Sequence, residues 1–348
     1  MSPDPWLGWD LGGAHIKAVK LVGAGHAPIV VQLPCPLWQG RDRLEEGIDR
    51  VLALVGNAPV RHAMTMTGEL VDLFDDRASG VETLIGVMRR RLPRDRLMVY
   101  AGPKGFLEPE AAVHAAELVA SANWMAAAEF VATRVPAGLL VDLGSTTTDL
   151  VPFGDGRVTA RGYSDHQRLE QDELVYTGAV RTPLMSLARR VPFAGAWMPL
   201  MAEHFATTAD IYRLTGELPD HADLHASADG REKSLAASAR RVARMLGMDA
   251  AAADLSAWRR LAGFFAEMQL RAVADACERI LSRGQLSDEA PLVGAGVGCF
   301  IVEHLANRLG RPYVPFDRLF ETVPASGAGI GDCAPAAAVA CLAAETDR

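Results

Sequence analysis

Two short segments carry the same arrangement of reactive side chains. The first is Trp9-Asp10-Leu11-Gly12-Gly13-Ala14-His15-Ile16-Lys17, and the second is Val141-Asp142-Leu143-Gly144-Ser145-Thr146-Thr147-Thr148-Asp149. In each, an apolar run leads into Asp, then Leu-Gly, then small residues, then a second β-rich run. Small residues at such a turn let backbone N–H groups approach an anion closely. Gly12, Gly13, Gly144, Ser145, Thr146 and Thr147 are therefore candidates to bind phosphate oxygens through N–H and hydroxyl groups. Asp10 and Asp142 are candidates to hold Mg²⁺, which keeps several waters and takes one or two carboxylates plus phosphate oxygens. Asp149, across the second hairpin, is a third candidate carboxylate. Two facing copies would grip a polyphosphate and its metal between two lobes. The structural alternatives are a strand-end Asp capping its own turn, and a paired carboxylate at position 149. Lys17 either meets a phosphate as a point charge or is an exposed strand lysine.

The elements that position these residues follow from hydrophobic patterning. The first lobe opens with strands near 6–10, 16–21 and 29–33, then a helix over 41–55 and a strand over 62–67 that ends in Thr67-Gly68-Glu69. A helix over 81–92 and a strand over 97–100 follow. The pattern then predicts one long helix from Pro109 to about Val131, with Pro109 in its first turn, where a missing N–H costs little. Pro136-Ala137-Gly138 breaks the pattern. The second lobe repeats the opening with strands over 139–143, 148–153 and 157–161. Long loops with short elements are expected from Tyr176 to Pro199, and loops of that length in a compact domain are often functional. Helices return near 202–212, 233–246 and 256–282. A strand over 290–293 runs into Gly294-Ala295-Gly296-Val297-Gly298 and a helix to about Leu309, and a last Ala-rich helix follows Gly327-Ala328-Gly329-Ile330-Gly331-Asp332. Gly294 and Gly296 either receive an anion or flat ring at a helix N-terminus, or serve tight strand–helix packing. The opening is the one internal repeat expected.

Bulk properties exclude several classes. A chain of 348 residues exceeds the usual single core, so two lobes are expected: 1–136 plus about 331–348, and 137–330. Hydrophobic residues make up 49% and charged residues 22%, as in an ordinary soluble protein. The 35 Lys and Arg against 43 Asp and Glu leave a formal charge of −8, and the one short basic run, Arg89-Arg90-Arg91, reads as a solvated helix end; nucleic acid is not the expected partner. Five cysteines without a CxxC pair imply reduced thiols, no structural zinc and a cytoplasmic protein. The start, Met1 to Pro5, lacks the pattern of a signal peptide, and 334–344 is too short to span a bilayer. The histidines show no HxH or HExxH spacing, so none is assigned to a metal. Alanine and arginine richness is read as base composition.

In order and spacing the chain resembles the superfamily of sugar kinases, Hsp70 and actin, whose phosphate motifs are two Asp-containing hairpins. The resemblance implies an α/β, two-lobed actin-like ATPase (ribonuclease H-like) fold with a cleft between the lobes. The long helix and the last helix resemble its two connecting helices, and 294–298 resembles its adenosine motif. Met66-Thr67-Gly68-Glu69-Leu70-Val71-Asp72, Ser121-Ala122-Asn123-Trp124, 142–149, Tyr176-Thr177-Gly178 with Arg181-Thr182-Pro183, and Thr207-Thr208-Ala209-Asp210 are similar to the hydantoinase/oxoprolinase-like family. Within it the likeness is to proteins linked to tetrahydromethanopterin-dependent one-carbon transfer. His15 stands where the family's first turn commonly carries Asn.

That narrower resemblance implies an ether-forming transferase of methanofuran or methylofuran biosynthesis. Such an enzyme joins an (aminomethyl)furan-methyl diphosphate to the phenol of γ-glutamyltyramine or a tyrosine-type acceptor and releases diphosphate. Glu69 is then expected to act as base for the phenol or to bind the furan's ammonium group. Arg181 would hold diphosphate or carboxylate bidentately, and Trp124 would cover a cationic centre with its π face. Thr67, Asn123, Tyr176, Gly294 and Gly296 would line the substrates. Without the resemblance, Glu69, Asp72, Arg181, Asn123 and Trp124 read first as ordinary caps, salt bridges or core residues. The expected cofactor is Mg²⁺, and the partners are small molecules, with no nucleic acid or membrane. Rival readings on the same fold are an ATP-dependent small-molecule kinase and an ATP-coupled hydantoinase-like hydrolase, both releasing ADP, and a non-catalytic nucleotide-regulated protein.

Overall fold

The computed structural model describes residues 5–23, 25–56, 60–92, 97–325 and 327–346; most of the start read above, 1–4, lies outside the described residues. The chain divides into two compact units. Unit 1 comprises Met1–Gly138, Val151–Ala160 and Pro315–Arg348, and unit 2 comprises Leu139–Leu150 and Arg161–Val314.

Unit 1 begins with strands β1 (Trp6–Leu11), β2 (His15–Lys20) and β3 (Ile29–Pro34), helix α1 (Arg41–Val55) and strand β4 (Arg61–Met66). Helix α2 (Arg77–Arg91), β5 (Leu97–Tyr100) and β6 (Phe106–Leu107) complete a six-stranded sheet in the order β3-β2-β1-β4-β5-β6. β1 pairs antiparallel with β2 and parallel with β4, so α1 forms part of a crossover connection between parallel neighbours. The helices α1 and α2 bury Leu44, Ile48, Val51, Leu84, Ile85 and Met88 in one core with Leu7, Trp9 and Leu11 of β1. Asp76 caps α2 by accepting from Ser79 N–H at 2.8 Å in a reciprocal capping box. At its other end Arg91 pairs with Glu45 and Asp49, so the basic run is a helix C-terminus with acidic partners.

The long helix expected over 109–131 is three shorter ones: α3 (Pro109–His114), α4 (Ala116–Val119) and α5 (Asn123–Ala132). Ser121 lies between the last two with φ +52°, a left-handed conformation that costs a non-glycine residue about 1–3 kcal/mol. The same residue makes a compensating bond: Ser121 Oγ donates to the buried Glu69 carboxylate at 2.7 Å. Alanine richness also has a structural reason. A Cβ at Gly8 of β1 would overlap the Ala336 carbonyl and lie 2.9 Å from Ala340 Cβ, so α11 (Ala334–Thr346) lies directly on the strand. Only small residues permit that approach.

The second sheet is built from β7 (Ala137–Leu143), β8 (Thr148–Gly154), β9 (Arg157–Val158), β10 (Leu174–Val175), β13 (Leu292–Ala295) and β14 (Tyr313–Pro315). Its order is β10-β8-β7-β13-β14, with β9 on β8, and β7 pairs parallel with β13. The third strand expected over 157–161 is only the two residues of β9. Between these strands lie α6 (Asp165–Glu170), the hairpin β11 (Arg190–Phe193) and β12 (Ala196–Pro199), α7 (Thr208–Thr215), α8 (Leu235–Met245), the 27-residue α9 (Leu255–Leu281) and α10 (Cys299–Leu309). The hairpin supplies short elements within the loops expected up to Pro199; Ala194 (φ +50°) and Gly195 (φ +83°) give the two left-handed residues of a tight primed turn. α7 starts at Thr208 rather than near 202, because Thr207 and Asp210 form a reciprocal capping box. Apolar faces of α7, α8, α9 and α10 share one core with Leu139, Val141 and Leu143 of β7.

Each sheet thus has a parallel strand pair at its centre, β1/β4 in unit 1 and β7/β13 in unit 2. The α/β class with duplicated hairpins expected from the sequence is the class observed. The described cysteines are all free thiols, and burial pushes the Cys35 thiol up to about 11, which leaves it inert at neutral pH.

Candidate active site

Both candidate turns sit at the carboxyl ends of parallel strands, where open α/β sheets receive ligands. Asp10 and Asp142 are at equivalent places near the ends of β1 and β7, 5% and 8% exposed. Both turns close with the same bond: Gly12 N donates to His15 O at 2.9 Å, and Gly144 N donates to Thr147 O at 2.9 Å.

In unit 1 the opposite strand places Lys17 directly across from Asp10. Residues directly opposite in an antiparallel pair share a face, so the charges of Asp10 and Lys17 are neighbours. The end of β4 completes the cluster. Thr67 N donates to Leu11 O at 3.0 Å, and a Cβ at Gly68 would be 3.0 Å from the same carbonyl. Glu69 follows in a single helical turn, 1% exposed. Gly80 abuts it, with an added Cβ 2.9 Å from Glu69 Cβ. Asp10, Gly12, Lys17 and Thr67 therefore lie together at the ends of β1, β2 and β4, and Glu69 follows two residues after Thr67, held by its bond from Ser121. Asn123 and Trp124 start α5; Asn123 Oδ1 accepts from Trp124 N, and the Trp124 ring is 2% exposed. Asp72 is exposed.

In unit 2 the matching neighbourhood contains Gly294, Gly296 and Gly298. Gly296 has φ +81°, and a Cβ there would run into the Leu143 carbonyl and lie 2.6 Å from Asp142 Oδ1. Gly298 N donates to Leu143 O at 2.9 Å, and its Cβ would lie 3.0 Å from that oxygen. A Cβ at Gly294 would be 2.6 Å from the Tyr313 ring. These glycines serve close packing around the second turn, and Gly296 leaves room for the Asp142 carboxylate. The repeat therefore extends past the hairpin to the neighbouring parallel strand, with Gly68 and Gly298 in equivalent contacts.

The segment 176–183 is stapled to the second turn. Ala179 N donates to Gly144 O at 2.9 Å, and Arg181 N donates to Ser145 O at 2.8 Å. A trans peptide points its N–H away from its C=O. Both carbonyls face this segment, so the N–H groups of Ser145 and Thr146 are directed away from it, side by side, as in an anion-binding nest. The hydroxyls of Ser145 and Thr146 lie 3.4 Å from each other, and Arg181 Nη1 donates to Thr146 Oγ1 at 3.4 Å. Burial lowers the pKa of Arg181, opposed by the nearby Tyr176. Tyr176 is 70% exposed beside it.

Asp149 is bonded to a residue that sequence reasoning passed over. Arg168, 1% exposed, donates to Asp149 Oδ1 at 2.7 Å and to the Glu173 carbonyl at 2.7 Å. A lone arginine in a six-residue helix gave no sequence signal. Two further omissions are Ser121, whose left-handed backbone is invisible in sequence, and Gln269. The latter had a signal: one polar residue within the apolar stripe Phe265, Val273 and Ile280 of α9.

The donors at the two turns fit Mg²⁺. No group of three or more His, Cys, Asp or Glu that could hold a metal ion occurs among the described residues. The protein offers single carboxylates next to N–H-rich turns, and Mg²⁺ completes its shell with phosphate oxygens and water. Among the described residues, no helix is long and apolar enough to cross a membrane.

Residues 61–335 match the family model described as hydantoinase/oxoprolinase. The chain is 32% identical over 244 residues to the (4-{4-[2-(γ-L-glutamylamino)ethyl]phenoxymethyl}furan-2-yl)methanamine synthase of Methanocaldococcus jannaschii, covering 70% of this chain and 72% of that one. It is 42% identical over 85 residues to the synthase of the same name from Methanococcus vannielii, covering 24% of this chain and 38% of that one. Among solved structures, a nucleotide-free acetone carboxylase described in a study of ATP-dependent acetone carboxylation matches with a TM-score of 0.58 at 11% identity, over 96% of this chain and 70% of that one.

Proposed function

Because the chain belongs to the hydantoinase/oxoprolinase family, with an actin-like α/β fold, we propose that it is a transferase of methanofuran- or methylofuran-type cofactor biosynthesis. It would join an (aminomethyl)furan-methyl diphosphate to the phenol of a γ-glutamyltyramine or tyrosine-type acceptor. The products are an aryl ether and diphosphate. The observation that carries this reading is the similarity to the Methanocaldococcus jannaschii synthase, which spans both units and includes most of the length of each protein.

The chemistry of the residues supports it. A furfuryl carbon bearing diphosphate is prone to ionise, because the ring oxygen's electrons stabilise the positive charge. As its C–O bond breaks, the electron pair goes to the leaving diphosphate. Unit 2 offers that anion the N–H groups of Ser145 and Thr146, the Ser145, Thr146 and Thr147 hydroxyls and the Arg181 guanidinium. Preorganised donors of this kind stabilise developing negative charge at little reorganisation cost. Gly144 keeps the turn tight, and Gly296 keeps the Asp142 carboxylate unobstructed. Asp10 in the first turn and Asp142 in the second would each be a carboxylate for Mg²⁺, which supplies further charge neutralisation on the phosphate oxygens when bound. In unit 1, Lys17 adds a positive charge beside the first turn. The phenol oxygen forms the new bond to carbon, and its proton passes to Glu69, which Ser121 holds in place. Thr67, Asn123, Trp124 and Tyr176 would shape the substrate sites.

The test is mass spectrometry after incubation with a furfuryl diphosphate, a phenolic acceptor and Mg²⁺, without ATP. An ether with one equivalent of diphosphate supports the reading. No ether, with ATP consumed once it is added alongside the acceptor, would replace it with the kinase or ATP-coupled hydrolase.

A further inference from the structure

Gly178 packs onto the face of the Ser145–Thr146 peptide so closely that an added Cβ would overlap Thr146 N. Whatever fixes Gly178 therefore fixes the plane of that peptide and the direction of the Thr146 N–H. Three buried side chains converge on the Gly178 carbonyl. Gln269 Nε2 donates to it at 2.8 Å, Thr208 Oγ1 at 2.8 Å and Thr182 Oγ1 at 3.2 Å. Gln269 Nε2 also donates to Thr177 Oγ1 at 2.8 Å. A carbonyl only accepts, so the NH₂ of Gln269 must face Gly178, and its Oε1 must face away. There Tyr212 OH donates to Oε1 at 2.7 Å, which locks the amide against rotation. Gln269 is fully buried between Phe265 and Val273 on α9, and Tyr212 is 2% exposed on α7. A buried amide in an apolar helix stripe is retained at a desolvation cost unless every polar group is matched, and here each is.

We infer that Gln269, locked by Tyr212, is a positioning residue for the diphosphate-binding turn: it holds Gly178 against the Ser145–Thr146 peptide so that the two N–H groups remain aimed at the leaving group. It touches no substrate and acts through Gly178. The inference rests on the reading that this turn receives diphosphate.

The experiment compares wild type with Gln269→Glu and Tyr212→Phe. Gln269→Glu keeps the acceptor for Tyr212 and the side-chain size, but turns an oxygen toward the Gly178 carbonyl. Tyr212→Phe leaves the amide in place and removes its lock. Binding of inorganic pyrophosphate with Mg²⁺ is measured by calorimetry, ether formation is followed with each substrate varied, and melting is recorded for each protein. Q269E is expected to weaken pyrophosphate binding about tenfold or more, the size of a lost buried hydrogen bond, and Y212F a few-fold. KM for the furfuryl diphosphate should rise in the same order while KM for the phenol stays put; a merely structural role would not split the two. If wild type binds pyrophosphate and both variants bind equally well, the positioning role is overturned. Should Q269E be unfolded at the assay temperature, wild-type pyrophosphate affinity in Y212F overturns it alone. If wild type itself neither binds pyrophosphate nor forms ether, the functional reading fails, and the inference with it.

Discussion

The two glycine turns share a backbone and differ in charge. Each closes with an N–H to carbonyl bond of 2.9 Å, each follows an Asp at the end of a parallel strand, and each is flanked by a glycine packed on the next Leu carbonyl. The position equivalent to Lys17 in the first turn is Asp149 in the second. In the first, the cross-strand Lys sits beside Asp10 on the same sheet. In the second, the extra carboxylate is matched by a buried arginine from α6. The turn fillers differ as well: Gly-Ala in the first, Ser-Thr with hydroxyls in the second. One scaffold thus yields a turn with a cross-strand lysine and a turn rich in hydroxyl donors with the Arg181 guanidinium beside it.

Removing Arg168 should have the largest effect. Arg168→Leu leaves Asp149, 14% exposed at its side chain, without its buried counter-charge, and breaking such a pair costs about 3–5 kcal/mol. Lys17→Met in the first turn should cost no more than about 1 kcal/mol, as for a cross-strand pair. Urea unfolding of both variants measures the contrast; equal losses would erase it.

Next come the two aspartates. Asp142→Asn should lower kcat for ether formation by about 10²–10³, or roughly 3–4 kcal/mol of transition-state stabilisation. Asp10→Asn should lower it by only about tenfold, because Lys17 remains to meet an anion as a point charge. Steady-state kinetics of the two proteins at saturating Mg²⁺ decide this, and a larger loss in Asp10→Asn would reverse the division of labour.

Third is space. Gly178→Ala must displace the Ser145–Thr146 peptide and should cost about 1–3 kcal/mol, with pyrophosphate binding lost in parallel. Gly13→Ala meets only Val71 Cγ1, at 2.7 Å, a side-chain end that can shift, and should cost under about 1 kcal/mol. Thermal melts with and without magnesium pyrophosphate read both.

The smallest expected effect lies away from both turns and supplies a pH baseline. Burial raises the Glu129 pKa, opposed by the hydrogen bond from Tyr100 at 2.6 Å. The native state therefore holds this proton more tightly than the unfolded chain, and stability falls as pH rises from the ordinary carboxylate pKa through the raised one. Glu129→Gln should raise Tm slightly at pH 7, by the equivalent of under about 1 kcal/mol, and leave it unchanged near pH 4. A stabilisation larger at pH 4 would contradict the assigned direction.

The sequence made the hairpins legible because strand, Asp and Gly-rich turn are local. The parallel partner strands were legible as strands, but their pairing, and hence the equivalence of Gly68 and Gly298, is a long-range fact. Periodicity read α9 within a residue or two. It misread 109–131 as one helix, because the apolar pattern continues through Ala115 and Ser121, where the backbone leaves the helical conformation. Helix α7 was placed too early because the start signal, Thr207 with Asp210, was read as a family motif rather than as a capping box. Glycines 294–298 looked like a ligand cradle; their tightest neighbours are Leu143, Asp142 and Tyr313, which no local pattern discloses.

The central claim is that the second turn receives diphosphate on the N–H groups of Ser145 and Thr146. A crystal structure of the protein grown with magnesium pyrophosphate tests it most directly. The account predicts a phosphate oxygen within about 3 Å of both nitrogens, with the metal on the Asp142 side. Pyrophosphate bound elsewhere, with those two N–H groups left to water, would contradict it.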